Sequence, residues 1–231
     1  MIRLGECELP TECVWITVPD DAISHIAGEL AGKQEWKGKK VFHCSGALTS
    51  DVLWPLRDKG AKVASVHPGM TFPKGPAPSL KGVPFGVEGD AAALRLARRI
   101  ITDLGGKAVA LSKENKILYH AFDAFASPMV IALMAAMEEV GAAAGIAKKD
   151  LRQMAGPLLR QTVENYLRDG ADKAFTGPFV RGDAEVIRRH LEVLKRMQST
   201  QRLYVALAKI AVERLPVRNK SKIRTTIREA E

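Results

Sequence analysis

Hydrophobic positions in this chain change their period once. Over residues 1–111, short apolar runs alternate with stretches of helical spacing; from residue 112 onward only the helical spacing remains. Val14–Val18 is a continuous apolar run, the pattern of a strand buried on both faces, and Pro19 ends it. Ile23, Ile26, Ala27 and Leu30 follow at helical intervals and predict a helix over 22–31, capped by Asp20 or Asp21. Further strands are predicted at 40–44, 62–66, 83–87 and 107–111, with helices over 51–57 and 90–104, the latter closed by Gly105-Gly106. Such alternation builds a parallel, doubly wound sheet. Helices are predicted over 114–126, 129–144, 149–168, 184–197 and from about 200 to 214, with Ser127-Pro128 as a restart and 170–183 as a loop. Residues 129–144 are almost wholly apolar and are expected to be buried. The fold class read here is α/β: a sheet domain over 1–111 followed by an all-α domain over 112–231.

Composition narrows the class of protein without naming an activity. A length of 231 residues, 46% hydrophobic and 26% charged, suffices for one large or two modest cores. Cys7, Cys13 and Cys44 are odd in number and lack metal-ligand spacing, so they are read as reduced thiols of a cytoplasmic protein, and no residue is assigned to a metal. The first fifteen residues carry Arg3, Glu6, Glu8 and Glu12 and no apolar core, which does not fit a signal peptide. The longest apolar run, 128–137, is too short to cross a bilayer. The net charge of +9 can mean nucleic acid, an anionic membrane surface or anionic small ligands, and part of it sits in the polar stretch after Pro216. That stretch holds no aromatic residues to stack bases, so it is read as a solvated tail rather than a nucleic-acid site.

Chemistry-bearing residues gather where strands end. Val41 and Phe42 run into His43-Cys44-Ser45-Gly46, and the next strand runs into His67-Pro68-Gly69. In open α/β sheets, ligands sit beyond the carboxyl ends of the strands. Gly46 lets backbone approach a ligand closely, and the Ser45 hydroxyl suits a carboxylate or carbonyl; the alternative is a tight turn with His43 packed in its strand. His67 is a candidate ligand-facing group. Lys116 and His120, four residues apart, share one helix face, and Asp123 is placed to orient the His120 ring. The alternative for that pair is an exposed lysine and a satisfied histidine.

The segments VPDDAI, HCSGAL, VHP, FGVEGD, KILYHAFDAFAS and GPFVRGD, in this order over roughly residues 10–215, carry a resemblance. The chain resembles a bacterial family of Rossmann-like proteins whose second half is the domain of unknown function 2520. That family is in turn similar to pyrroline-5-carboxylate reductase, 6-phosphogluconate dehydrogenase and 3-hydroxyisobutyrate dehydrogenase. The resemblance implies an NAD(P)-dependent oxidoreductase acting on a small anionic carbonyl, imine or hydroxy acid. It implies Lys116 and His120 as the catalytic pair, with His120 where relatives carry an asparagine. Val18-Pro19-Asp20 would pass the nicotinamide ribose, unless it is a helix cap only. Arg181 in GPFVRGD would grip an anion by a bidentate fork, unless it is a surface residue beside an Asp183 cap. A homodimer through the helical domain is implied as well.

The chain departs from its relatives at Gly69-Met70 and at Pro128, where they carry Leu-Gln and Asn. It also lacks their opening Gly-x-Gly-x-x-Gly turn, since Gly5 is isolated. About 60 residues, two or three βα units, are then expected to precede this sequence. A start codon placed too late is the favoured account over a fragment or a degenerate paralogue. In this form weak cofactor binding and little activity are expected. The alternative function is a non-catalytic dimeric binding module.

Overall fold

The structure, a computed structural model, describes residues 11–230. Gly5, Cys7 and the charged residues Arg3, Glu6 and Glu8 lie outside them. The chain forms two compact units, Met1–Val130 and Ile131–Glu231. The division falls after residue 130 rather than after the expected 111, because the helix that follows the last strand stands with the sheet.

The first unit contains β1 (Cys13–Ile16), α1 (Asp20–Ala31), β2 (Lys40–His43), a 3₁₀ turn (Ser50–Leu53), α2 (Trp54–Asp58) and β3 (Lys62–Pro68). It continues with β4 (Pro84–Gly89), α3 (Ala91–Asp103), β5 (Lys107–Ala110) and α4 (Lys116–Ala126). The five strands lie in chain order, β1-β2-β3-β4-β5. β1, β2 and β3 are mutually parallel, as are β4 and β5, but β4 runs antiparallel to β3, with Ala64 opposite Gly89 and Pro68 opposite Phe85. A parallel neighbour needs a crossover element; the 69–83 connection supplies only a returning loop, so the sheet is mixed rather than wholly parallel.

Both faces of β1 to β4 are covered, which is why these strands read as continuous apolar runs, while the edge strand β5 is largely exposed. On one face Ile23, Ala27, Leu30, Trp36, Leu53 and Leu56 pack against Val14, Ile16, Val41 and Val63. On the other, Ala93, Ala97 and Ile101 of α3 pack against Phe42, Val66, Phe85 and Val87. Each fully buried side chain of this kind stabilises the fold by about 1.5–3 kcal/mol. α1 is capped at Pro19 without a side-chain hydrogen bond, so neither Asp20 nor Asp21 acts as the expected cap. Both sit in the first helical turn, where the helix dipole favours them.

α5 (Pro128–Ala143) leads into the second unit, which contains α6 (Lys148–Asp169), α7 (Ala171–Ala174), α8 (Pro178–Arg181), α9 (Ala184–Leu194), α10 (Gln198–Arg214) and α11 (Lys220–Arg228). Its core joins Ile187 and Leu191 of α9, Val205, Ala208 and Val212 of α10, and Ile223 and Ile227 of α11. Two expectations fail here. The basic stretch after Pro216 is no solvated tail: it forms α11, whose two isoleucines are buried while its lysines and arginines face outward. And α5, expected to be buried, has no buried residue: Ala136 and Met137 are half-buried beside α9 and α10, and Met129, Ile131 and Leu133 are exposed. The helical stretch Lys116–Ala143 is long and apolar enough, by length and composition, to cross a bilayer. It exceeds the 128–137 run on which the expectation of no spanning segment rested.

Candidate functional site

Parallel pairing of β2 and β3, with His43 beside Ser65, brings the carboxyl ends of both strands to one rim. Past β2 stand Cys44, Ser45 and Gly46; β3 ends at His67-Pro68. α4 follows β5 and lays Lys116, Tyr119, His120 and Asp123 against this rim.

His67 is the hinge of the arrangement. Its Nδ1 lies 2.9 Å from the Cys44 carbonyl oxygen. A carbonyl only accepts, so Nδ1 carries the proton and Nε2 is turned to Asp123, 3.4 Å from Oδ2. Asp123 Oδ2 is itself buried and has no hydrogen-bond partner. The Tyr119 hydroxyl bonds to the Asp123 carboxylate; burial first, then that negative charge, push the phenol well above its ordinary value. The rings of Tyr119 and His120 both meet His67 edge-on, at 5.8 and 6.2 Å. A Cβ on Gly46 would stand 2.6 Å from His120 Nδ1 and 2.9 Å from His67 Nε2. The missing side chain is thus what lets the two imidazoles converge. His67, His120, Asp123 and Met70 line an open cavity of about 380 Å³.

Lys116 lies behind this cavity. It is wholly buried, and its ammonium donates to Ser65 Oγ at 2.7 Å. Burial lowers its pKa; the carboxylates of Glu88, Asp123 and Asp20 act the other way. Glu88 is buried too, accepting from the Ser50 amide at 2.6 Å and the Ser50 hydroxyl at 2.8 Å. The i, i+4 spacing does turn Lys116 and His120 toward the rim, but only His120 is exposed there.

The structure brings Gly46, His67, His120 and Asp123 together and gives the other expected residues different work. Asp123 faces His67, not His120, because α4 aims its carboxylate down at the strand end. Ser45 donates to Asp20 Oδ2 at 2.7 Å and accepts from the amides of Ala47 and Leu48, so its hydroxyl shapes the turn and has no donor left for a substrate. Asp20 is committed to that bond, Pro19 caps α1, and Val18 is exposed. His43 is a packed strand histidine: Nε2 donates to the Thr49 carbonyl, Nδ1 accepts from the Ser45 amide, and burial lowers its pKa to about 4. Arg181 belongs to the second unit, where its Nε pairs with Asp183 at 2.9 Å. Ser65, Glu88 and Tyr119 were not foreseen. Ser65 and Glu88 sit inside apolar runs, and a buried polar residue there is the one signal that singles them out.

The sequence matches the family described as Domain of unknown function (DUF2520) over residues 83–211, more than half of the chain, and the Rossmann-like domain over residues 1–68. No curated protein matches it. Among solved structures, protein TM1727 from Thermotoga maritima superposes with a TM-score of 0.72 at 23% identity, covering 96% of this chain and 81% of that one. An imine reductase from Myxococcus stipitatus, in complex with NADP+, gives 0.64 at 13% identity, over 97% and 82%. A pyrroline-5-carboxylate reductase from Coxiella burnetii gives 0.52 at 16%, over 96% and 76%. At these identities the likeness is one of fold: a Rossmann-like sheet unit followed by a helical one.

Proposed function

This chain belongs to the DUF2520 family, and from that premise we propose an NAD(P)-linked oxidoreductase of a small anionic carbonyl, imine or hydroxy acid. The observation that carries the proposal is the open pocket lined by His67, His120 and Asp123, at the strand ends where α/β folds hold ligands. A nicotinamide cofactor, when bound, supplies the hydride. The chain's own residues receive the other partner. The substrate oxygen or nitrogen sits in this pocket beside the two imidazoles, and His120 on the open side gives it a proton. His67 is held in one tautomer by the Cys44 carbonyl, with its Nε2 facing Asp123. Lys116 touches no open space; it is a positioning residue that places positive charge behind the pocket through Ser65.

The fit to a dinucleotide is incomplete. No glycine-rich turn precedes a helix among the described residues, and α1 presents Asp20 and Asp21 in its first turn, which repel a pyrophosphate. This chain alone is therefore expected to bind nicotinamide dinucleotides weakly and to turn over slowly; a clear thermal shift with NADPH would contradict that.

The test is loss of reduced-nicotinamide absorbance with a panel of small carboxylated ketones and imines, and its gain from the oxidised cofactor with small hydroxy acids. With any substrate found, His120→Ala is expected to lower turnover by about 10²-fold or more. Unchanged turnover removes His120 from the reaction. A second reading, a binding module that pairs through the helical unit, is supported by the uncovered apolar faces of α5 and α6. Light scattering on the purified protein tests it.

A further inference from the structure

We propose that His67, His120 and Asp123 form a binding site for a single divalent transition-metal ion of the zinc class. One ligand atom from each residue lies within 4.8 Å of the others. A metal with bonds of about 2.0–2.2 Å needs its ligands closer together, which small rotations of three side chains supply. Expecting no metal from cysteine spacing missed this set because its members come from two elements, β3 and α4.

Three features argue for an ion rather than a plain histidine–aspartate pair. The first is the orientation of His67. Its Nδ1 proton is spent on the Cys44 carbonyl, leaving Nε2 to face Asp123 Oδ2 at 3.4 Å. With the ring neutral, two lone pairs oppose each other across a gap that a bound cation, like a proton, relieves. An imidazole fixed through its far nitrogen by a carbonyl is also the usual arrangement behind a metal-bound histidine. The second is Asp123 itself, whose Oδ2 is buried and makes no hydrogen bond, at the cost such an orphaned oxygen carries. The third is His120. A histidine–aspartate pair needs no third member, yet the His120 ring is turned to the same point across the bare face of Gly46 and makes no hydrogen bond among the described residues. Two imidazole nitrogens and one carboxylate suit zinc, cobalt, iron or nickel, and give magnesium or calcium too few oxygens. Three protein ligands leave a position open toward the cavity, the pattern of a reactive rather than a structural site.

The proposal shares the pocket of the oxidoreductase reading but not its chemistry, so it is tested without cofactor or substrate. The full chain, freed of metal, is titrated with cobalt(II) and with zinc(II). Visible ligand-field absorption records cobalt, and equilibrium dialysis records the stoichiometry. The expected result is one ion per chain, with zinc displacing cobalt and affinity falling at least about tenfold in His120→Ala and in Asp123→Asn. His120 is exposed, so its replacement leaves the fold intact, and circular dichroism verifies that. His25→Ala, an exposed histidine on α1 paired with Glu29, serves as the control and keeps full affinity. Three outcomes overturn the proposal: no binding, binding unchanged in both variants, or a strong thiolate-to-cobalt band showing that a cysteine holds the ion. Failure to find a reducible substrate leaves all of these readouts unaffected.

Discussion

His43 and His67 end neighbouring strands and face opposite demands. His43 is sealed in the sheet as a neutral ring, with a pKa of about 4 against an ordinary 6.5. Between those values the unfolded chain binds a proton that the folded chain refuses. Its contribution is complete above pH 6.5 and is lost as pH falls toward 4, a loss of about 3 kcal/mol. Denaturation midpoints measured at pH 7 and pH 4.5 should show it, and His43→Asn should flatten the difference; an equal slope in the variant would rule His43 out as its source. Gly46 makes the matching point for the pocket. Gly46→Ala should cost only about 1 kcal/mol, because the atoms it meets are the mobile ends of His67 and His120. It should nevertheless abolish cobalt binding and turnover together, by driving the rings apart. The residue types at the rim were legible from the strand ends. Their pairing was not, because helical spacing says which residues share a face of α4, not how α4 is rotated on the sheet.

Elements were legible where their periodicity was unmixed. The strands, α1, α3 and α10 fall near the predicted places. α11 escaped because its lysines and arginines outnumber Ile223 and Ile227, whose i, i+4 pair is the whole apolar signal. Ile223→Ala should therefore destabilise the helical unit by about 2–5 kcal/mol, far more than loss of a tail residue. The direction of β4 was hidden for another reason: strand patterns carry no orientation, and only the missing crossover helix between 68 and 84 marks the antiparallel turn. The close approach of β4 to β3 rests on Gly89, at φ 136°, where a Cβ would lie 2.5 Å from both Ala64 Cα and the Val63 carbonyl oxygen. Neither backbone atom can retreat without opening the ladder. Gly89→Ala should cost several kcal/mol and lower the yield of folded protein, whereas Gly75→Ala, in open space within the loop, should act only through its backbone strain.

At the scale of the whole molecule, exposed apolar residues gather on the consecutive helices α4, α5 and α6, among them Ile117, Leu118, Phe122 and Phe125 on α4. The apolar positions of α5 were expected to be buried, and among the described residues none of them is. On α6, Leu158 and Leu167 are 71% and 75% exposed, and Met154, Val163 and Tyr166 are exposed beside them. Apolar surface gathered along consecutive helices marks an interaction face rather than scattered exposure. A second copy of the same unit offers the same stripe, and a two-fold pairing buries both at once. Burying two leucines per chain contributes about 3–6 kcal/mol on each side, enough to matter against the entropy of association. The protein should therefore run as a dimer in light scattering, and Leu158→Glu with Leu167→Glu should shift it to monomer while circular dichroism stays helical, because neither side chain belongs to the core of α9, α10 and α11. A monomeric wild-type protein would remove α5 and α6 as a pairing face and turn the search toward a different occupant.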